Sequence, residues 1–242
     1  KIKKSCLPRM DFYLDTTVQG DPALLDGEVY RNALAQVAQR PFRMVPYYDP
    51  GVWGGDWMKN TFELPENGSN YAWSFDGVPE ENSLLLGFGS VTVETPAINL
   101  VFSQPRALLG DRVHARFGTE FPIRFDMLDT IHGQNLSLQV HPLTEYIQDT
   151  FNMRYTQDES YYILDTEEKE GTVWLGVKEG AVPEEMEQAL RDAQTGAKPF
   201  DAARYVNCFP VKKHDHVLIP AGTIHGSGAG TMVLEISATP YI

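Results

Sequence analysis

The amino-acid sequence predicts a mainly β fold in which short strands form a sandwich or a barrel. Its apolar residues lie in short runs rather than in long helical repeats, and closely spaced Gly, Pro and Asn residues separate these runs. The 242 residues include 20 Gly and 16 Pro, and 11% are aromatic, a composition that favours strands and turns. Many short strands joined by tight turns pack as a closed or double-layered sheet.

The N-terminal part of the chain has a different pattern. In residues 21–39, apolar side chains recur at helical spacing, which predicts one or two short helices. Residues 41–57 are rich in Pro, Gly and aromatic residues, which predicts an irregular loop packed by its own rings. We therefore expect an N-terminal elaboration, residues 1–70, that packs on a barrel formed by residues 71–242 within a single domain.

Strand-like runs follow one another closely from Tyr71 onward. Between Tyr71 and Phe125 the predicted strands are YAWSF, SLLLGFG, SVTVET, INLVF, RVHARF and FPIRF. Later strands are predicted at NLSLQVH, SYYILD, GTVWLGV, HVLIP and TMVLEIS. A helix is predicted to begin at Pro183, because acidic residues occupy its first turn and Gly196 follows its end. This helix is a short insertion between strands, at about residues 183–207.

The charge and cysteine content of the chain argue against several classes of function. The formal net charge is −13, and the sequence has no cluster of Lys and Arg of the kind that nucleic acids or anionic membranes require. No run of 18 apolar residues is present. Cys6 and Cys208 are too few for the disulfide framework of a small secreted domain. We therefore expect a cytoplasmic protein that binds a small molecule and has no nucleic-acid or membrane partner.

Polar residues in three separated segments have the types of a metal site. In LSLQVHP, a predicted strand, Gln139 and His141 are two residues apart and face the same side. Glu159 begins the next predicted strand, and His225 follows a Pro-x-Gly turn in IPAGTIHG. Imidazole nitrogens together with carboxylate and amide oxygens form a donor set that suits Zn²⁺. The sequence therefore predicts one metal site with these four ligands: Gln139, His141, Glu159 and His225.

These segments resemble the metal-ligand blocks of the class I phosphomannose isomerases, which are cupins. LSLQVHP, DESYYILD and IPAGTIHGSGAGTMVLEIS occur in the same order and at compatible spacings, and VWGGDW (residues 52–57) is similar to the family's Trp-Gly-Gly element. The resemblance covers most of the chain from about Val45 onward. It implies a cupin-type β-barrel, or jelly roll, with Zn²⁺ held by the four residues named above. It also implies an aldose–ketose isomerase that interconverts mannose 6-phosphate and fructose 6-phosphate or a related sugar.

The chain departs from the family pattern where positive charge is expected. Gln157 stands where family members have a lysine two residues before the ligand glutamate. The strand before the Gln-x-His block offers Arg124 and Asp126 in place of another lysine. Residues two apart on a strand share a face, so these two side chains could neutralise each other and leave a site suited to an uncharged sugar. The proton-transfer residue is left open, with Arg124 and Asp126 as candidates.

The candidates for sugar contact and the other histidines have less support from the sequence. Gln157 and Trp53 are candidates for contact with the sugar, although packing of Trp53 within its Pro/Gly-rich loop is the simpler interpretation. Surface or turn positions are expected for the other histidines: His114, His132, His214 and His216. Three functions stay open: an isomerase, a non-catalytic metal- and sugar-binding cupin that acts as a sensor or regulatory module, and an Fe²⁺- and O₂-dependent oxidoreductase. A fourth ligand at Gln139 argues against the oxidoreductase because it fills the coordination shell.

Overall fold

The computed structural model describes residues 16–65, 71–74 and 81–238. The chain divides into two structural units. The first comprises the described residues of Lys1–Tyr47 and Phe75–Arg124, and the second those of Tyr48–Ser74 and Phe125–Ile242. The sequence led us to expect an N-terminal elaboration, residues 1–70, and a barrel, residues 71–242, within a single domain. These bounds differ from those of the two structural units, and the single domain stays a prediction.

In the described part of the chain, strands and helices follow in this order: β1 (Thr17–Gln19), a 3-10 helix (Pro22–Leu24), α1 (Gly27–Val37), β2 (Tyr48–Gly55), α2 (Trp57–Thr61), β3 (Tyr71–Ser74), β4 (Ser83–Phe88), β5 (Val91–Pro96), α3 (Ile98–Ser103), α4 (Pro105–Phe117), β6 (Ile123–Asp129), α5 (Thr144–Phe151), β7 (Glu159–Thr166), β8 (Gly171–Val177), α6 (Pro183–Gln194), α7 (Ala202–Tyr205), β9 (Val206–Val211), β10 (His216–Ile219), β11 (His225–Ser227) and β12 (Thr231–Ala238).

The first unit combines a small antiparallel sheet with helices. The strand order of its sheet is β1-β5-β4. Tyr30 and Leu34 of α1 pack in one apolar cluster with Leu84 of β4, Val93 of β5 and Leu100 of α3. The N-terminal helices expected from the apolar spacing are the 3-10 helix and α1, and the Asp26 side chain caps α1 by accepting from Glu28 and Val29 N–H.

Three segments differ from the secondary structure that the sequence predicts. INLVF and RVHARF, predicted as strands, lie in α3 and α4. Short apolar runs do not distinguish a strand from a buried helix, and the adjacent residues Leu100 and Val101 are both buried, so no alternation is present. Residues 41–57, predicted as an irregular loop, contain β2. This strand lies at the edge of its sheet, and its register with β3 is irregular at Pro50; edges and bulges are the places where sheets tolerate proline.

The second unit contains two sheets that share one apolar core. The larger sheet has the strand order β10-β7-β12-β6-β3-β2, and the smaller one has the order β11-β8-β9. Val173 and Val211 of the smaller sheet pack with Ile163, Ile219 and Val233 of the larger one. The predicted helical insertion is α6, which lies between β8 and β9. None of the described helices has the length and apolar character needed to cross a membrane.

The register of β7 and β12 determines which side chains face this core. The strands are antiparallel, with Val233 opposite Ile163 and Ser237 opposite Glu159. Burial alternates along β7, with Glu159, Tyr161 and Ile163 buried. Because Ile163 and Val233 lie in the core, alternation places Glu159 and Ser237 on the same inner face, at one end of the strand pair.

Candidate metal centre

Three of the four predicted ligands meet at this end of the strand pair. His141, Glu159 and His225 are buried, and their ligand atoms all lie within 4.8 Å of one another. His141 Nε2 is 3.1 Å from Glu159 Oε2, and His225 Nε2 is 2.7 Å from Glu159 Oε1. Within residues 16–65, 71–74 and 81–238, no other group of three or more His, Cys, Asp or Glu side chains comes together in this way.

The three side chains come from three different segments. Glu159 is the first residue of β7, His225 is the first residue of β11, and His141 lies between β6 and α5. The predicted strand NLSLQVH is not a regular strand, because it is reduced to an isolated bridge between Gln139 and His225. In this bridge each backbone N–H donates to the carbonyl of the other residue, at 2.9 and 2.8 Å. These two hydrogen bonds hold the backbones of Gln139 and His225, two of the predicted ligands, side by side.

A tight turn directs His225 into the cluster. Gly222 has φ of +82°, and a Cβ atom there would lie 2.9 Å from the Leu143 side chain, so glycine meets both a conformational and a steric requirement. Its N–H donates to the carbonyl of His141 at 2.7 Å. The Nδ1 atom of His225 lies 2.8 Å from the Thr223 carbonyl. With Nδ1 turned to this carbonyl, Nε2 is the ring nitrogen that faces Glu159 and is available to bind a metal ion.

Gln139 lies at the edge of this cluster. Its Nε2 is 3.3 Å from His225 Nε2, and its Oε1 accepts from Ser137 Oγ at 3.4 Å. Rotation by 180° about the last side-chain bond exchanges the two ends of the amide and turns the oxygen toward the His225 ring. Its role as a fourth ligand stays a prediction.

The carboxylate at the centre of the cluster is held in its ionised form. Burial alone would raise the pKa of Glu159. The contacts of its carboxylate with His141 and His225 have the larger effect and lower the pKa to about 2. The pKa of Tyr161, two residues along β7, is raised well above its ordinary value by burial and by the negative charges of Glu159 and Glu235. At neutral pH the inner face of β7 therefore carries an anionic carboxylate and a neutral phenol.

The cluster fits a divalent metal ion in donor type and spacing. Glu159 Oε1 lies 2.7 Å from His225 Nε2, and Glu159 Oε2 lies 3.1 Å from His141 Nε2. Two neutral imidazoles and a carboxylate are ordinary Zn²⁺ ligands, and ligand atoms about 2.0–2.1 Å from a tetrahedral ion are about 3.3 Å apart. The observed separations of 2.7 and 3.1 Å are slightly shorter. Small side-chain movements would therefore admit the ion.

Of the other predicted site residues, Gln157 lies at the cluster. It is buried, and its Nε2 donates to Glu159 Oε2 at 3.0 Å. Asp126 is buried on β6, on the same face as the core residue Leu128, and Arg124, two residues earlier, is partly exposed. Their role in proton transfer stays a prediction.

Trp53 lies near the opposite end of the β7–β12 pair. Its carbonyl accepts from Gln134 N–H at 2.9 Å, close to Thr130, whose N–H donates to the Thr231 carbonyl. Thr231 is opposite Thr166, seven residues along β7 from Glu159, which corresponds to roughly 20 Å of strand. Contact of Trp53 with a sugar stays a prediction.

Two inward-facing residues were missed by the sequence interpretation. Glu235 and Ser237 are buried on β12, with Glu235 opposite Tyr161 and Ser237 opposite Glu159. The alternation in TMVLEIS places Glu235 and Ser237 on the same face of the strand as Val233. The sequence alone does not show that this face points inward, so it could not assign the two residues to the site.

The VWGGDW segment is fastened to the barrel at the end near Trp53. A Cβ atom at Gly55 would lie 2.3 Å from Asp129 Oδ1, so the backbone passes directly over that side chain. Asp129 accepts from Met58 N–H at 2.8 Å and Ile131 N–H at 3.0 Å. Trp57 Nε1 donates to Asp165 Oδ2 at 3.1 Å. These contacts give the segment a structural role.

The curated proteins and the solved structures that are similar to this chain agree with one another. No protein-family model matches the sequence. Among curated proteins, the mannose-6-phosphate isomerase ManA of Bacillus subtilis is 25% identical over 201 residues, which are 81% of this chain and 56% of the relative. The mannose-6-phosphate isomerase of Streptococcus mutans is 25% identical over 186 residues, with 76% and 53% covered. This chain is similar to mannose-6-phosphate isomerases. It spans about half the length of these curated relatives.

Solved structures give the same result for the fold. The mannose 6-phosphate isomerase from Bacillus subtilis superposes with a TM-score of 0.61 at 17% identity, covering 82% of this chain and 58% of the other. A putative mannosephosphate isomerase from Archaeoglobus fulgidus gives 0.62 at 22% identity, with 83% and 60% covered. The mainly β, cupin-type fold predicted from the sequence is therefore confirmed.

Proposed function

We propose that the chain is a metal-dependent aldose–ketose isomerase, with Zn²⁺ as its metal and with mannose 6-phosphate and fructose 6-phosphate, or a related sugar pair, as substrates. The observation that carries this proposal is the buried His141–Glu159–His225 cluster, set in the fold that the chain shares with mannose-6-phosphate isomerases. The sequence similarity to curated mannose-6-phosphate isomerases supports it. We expect the protein to act in the cytoplasm, without a nucleic-acid or membrane partner.

The proposed reaction moves a proton between two adjacent carbon atoms, one of which begins as a carbonyl carbon. A bound Zn²⁺ would stabilise the oxyanion that develops on the neighbouring oxygen. His141, Glu159 and His225 would hold the ion, and Gln139 would be the fourth ligand. The Gln157 amide holds the Glu159 carboxylate in place through the bond from Nε2.

Two buried carboxyl groups are suited to carry the proton. Asp126 lies on the inner face of β6, and Glu235 lies on the inner face of β12. General acid–base catalysis requires such a group within hydrogen-bond reach of the reacting carbon's proton. Replacing Asp126 or Glu235 by its amide would identify the carrier as the variant in which kcat falls while metal content is unchanged.

A second candidate function is a non-catalytic cupin that binds metal and sugar. It is favoured by the neutral amide of Gln157, which occupies the position where the resemblance leads us to expect a lysine. In this case the protein would bind a sugar without converting it.

A coupled assay on the metal-loaded chain separates these two functions. Elemental analysis should give one equivalent of zinc, and added aldose should be converted to ketose at a rate that falls when the metal is removed by a chelator. The substrates offered should include mannose 6-phosphate and unphosphorylated mannose. Sugar binding without any conversion, in fully zinc-loaded protein, would contradict the isomerase and support the binding protein.

A further inference from the structure

Three short segments carry the clustered ligands: the His141 segment (residues 141–142), the Glu159 segment (residues 156–159) and the His225 segment (residues 220–225). Glu159 and His225 lie in strands of different sheets, and His141 lies in a loop between β6 and α5. Strand pairing within one sheet therefore does not fix the three side chains relative to one another. Their relative positions depend on contacts between the segments instead.

Two side chains of the Glu159 segment contact the other two segments. The buried Thr156 hydroxyl donates to the carbonyl of Pro142, in the His141 segment. Asp158 Oδ1 accepts from the N–H of Ala221 at 2.9 Å, in the turn that begins the His225 segment. Asp158 is exposed, but a carboxylate is a stronger acceptor than a neutral carbonyl oxygen. Thr156 and Asp158 therefore each hold one of the histidine-bearing segments beside Glu159.

A third hydrogen bond joins the two histidine-bearing segments to each other. The N–H of Gly222 donates to the His141 carbonyl at 2.7 Å. Because Ala221 and Gly222 are adjacent, consecutive N–H groups of one turn bond to two different segments. Each segment is thus bonded to both of the others, and we call these three bonds the hydrogen-bonded triangle. Displacement of any one segment would stretch two of its three bonds.

The hydrogen-bonded triangle surrounds ligand atoms that are already close to the spacing an ion requires. The Nε2 atoms of His141 and His225 lie 3.1 and 2.7 Å from the oxygens of Glu159, near the value of about 3.3 Å expected around a tetrahedral ion. Ligands that are held in place lose less conformational entropy when the ion binds. In metalloproteins, loss of an outer partner that orients a ligand lowers metal affinity about 10–100-fold.

We propose that Thr156 and Asp158 are positioning residues, which hold His141 and His225 at the Glu159 carboxylate before a metal ion binds. They act through the backbones of the His141 and His225 segments rather than by contact with the ion. This proposal rests on the metal site of the proposed function. It does not depend on which sugar is bound or converted.

Competition titration of Zn²⁺ against a chromogenic chelator tests the positioning role. Thr156→Val removes the hydroxyl donor and Asp158→Ala removes the carboxylate acceptor, and each should weaken zinc affinity about 10-fold. With Co²⁺ in place of zinc, the visible absorption spectrum reports the coordination geometry, and it should change in both variants. Thr156→Ser and Asp158→Asn keep a hydroxyl and an oxygen acceptor, so they should restore most of the affinity and the wild-type spectrum.

Matched controls separate positioning of the ligands from general stability. Asp215→Ala removes an exposed carboxylate that accepts from the Lys212 N–H at 2.9 Å, in the turn before β10. Thr130→Val removes a buried hydroxyl that donates to a carbonyl at the other end of the β7–β12 pair. Both controls should lower Tm and leave zinc affinity and the Co²⁺ spectrum unchanged. If Thr156→Val fails to fold by circular dichroism, Asp158→Ala and Asp158→Asn decide the question.

Amide hydrogen exchange tests whether the triangle forms before the ion binds. In zinc-free protein the N–H groups of Ala221 and Gly222 should exchange slowly, and Asp158→Ala should speed the exchange at Ala221. Rapid exchange at both positions that slows only when zinc is added would show that the ion assembles the site, and would overturn the proposal.

The outcomes distinguish this proposal from the proposed function. Variants of Thr156 and Asp158 that lose only stability, like the controls, would overturn the positioning role and leave the isomerase in place. Zinc affinity that depends on both residues, in a protein that converts no sugar, would support the positioning role and contradict the isomerase. Failure of the wild-type chain to bind zinc would overturn both.

Discussion

The two ends of the β7–β12 pair differ in how completely their buried polar groups are hydrogen-bonded. At the end formed by Thr166 and Thr231, the hydroxyl groups of Thr130, Ser227 and Thr231 bond to one another and to the Gly228 carbonyl at 2.6–3.0 Å. At the end formed by Glu159 and Ser237, two buried polar atoms, Gln157 Oε1 and Ser237 Oγ, make no hydrogen bond with described residues. The hydroxyl cluster at the first end is complete without a ligand, although Trp53 Nε1 near that end is buried without a hydrogen bond to a described residue. The polar atoms at the second end are not complete, so we expect the hydroxyl cluster to stabilise the barrel and the second end to bind.

The largest expected effect is at the incomplete end. His141→Ala removes one of the three clustered ligand groups, so zinc affinity should fall by more than about 100-fold, beyond what loss of an outer hydrogen-bond partner causes. Activity should be lost with the metal, and the folded structure should remain. Competition titration with a chromogenic chelator measures the affinity. His216→Ala, which changes an exposed histidine at the start of β10, is the control. Retention of tight zinc binding in His141→Ala would show that the cluster is not the metal site.

The complete end should respond in stability alone. The Thr130 hydroxyl lies 2.8 Å from the Gly228 carbonyl and 2.9 Å from the Thr231 carbonyl, and it accepts from Thr231 N–H at 3.0 Å. Thr130→Val keeps the shape but leaves these buried groups unpaired, so the free energy of unfolding should fall by about 2–3 kcal/mol. Urea denaturation measures it, with the exposed Thr195→Val as control. A change in zinc affinity without a change in stability would contradict the division between the two ends.

A smaller effect, dependent on pH, is expected at Asp129. Burial raises the pKa of this carboxyl from 3.8 to about 6, although N–H groups of Met58 and Ile131 donate to it. The folded state therefore binds the proton more tightly than the unfolded chain, and this contribution to stability is lost as pH rises from 3.8 to about 6. Asp129→Asn cannot titrate, and its amide N–H would face a backbone N–H, so at neutral pH we expect a loss of about 1–2 kcal/mol.

Urea denaturation of both proteins at several pH values tests this expectation. The advantage of the wild type over Asp129→Asn should shrink as pH rises from about 4 to 6. A constant difference across that range would mean that Asp129 titrates as an ordinary carboxyl.

The smallest effect is expected at the surface beside that carboxyl. His132 Nδ1 lies 2.9 Å from Asp56 Oδ1, and the hydrogen bond and charge of Asp56 raise the pKa of His132. The folded state thus holds the proton more tightly, and this stabilisation is present at low pH and lost as pH rises through the raised pKa. His132 has φ of +59°, which asparagine tolerates, so His132→Asn removes the ion pair without backbone strain. The Tm difference from wild type should be larger at pH 6 than at pH 8, and equal differences would exclude a role for the charge.

The sequence was sufficient for the identity of the clustered residues and for the class of the fold. His141, Glu159 and His225 are recognisable because their types occur in the same order, and at compatible spacings, as the ligand blocks of the family that the sequence resembles. α3 and α4 were predicted as strands because INLVF and RVHARF have a composition that either structure accepts, and the packing that decides between them involves distant residues. Glu235 and Ser237 could not be assigned to the site, since their direction depends on the register with β7 rather than on local sequence.

A register shift between β7 and β12 has a consequence for every inward residue beyond it. Met232 is opposite Asp165 but Val233 is opposite Ile163, so Leu164 is an extra residue on β7. Leu164 and Trp57 pack against a second apolar cluster, formed by Met58, Ile131 and Met232, and Asp165 accepts from Trp57 Nε1. This single inserted residue sets the phase of the alternation that follows. If the regular pairing of β7 continued past Ile163, Leu164 would lie opposite Met232 and Asp165 opposite Thr231. The extra residue therefore leaves Asp165 free to accept from Trp57, while Glu159, Tyr161 and Ile163, on the other side of the shift, keep their inward direction.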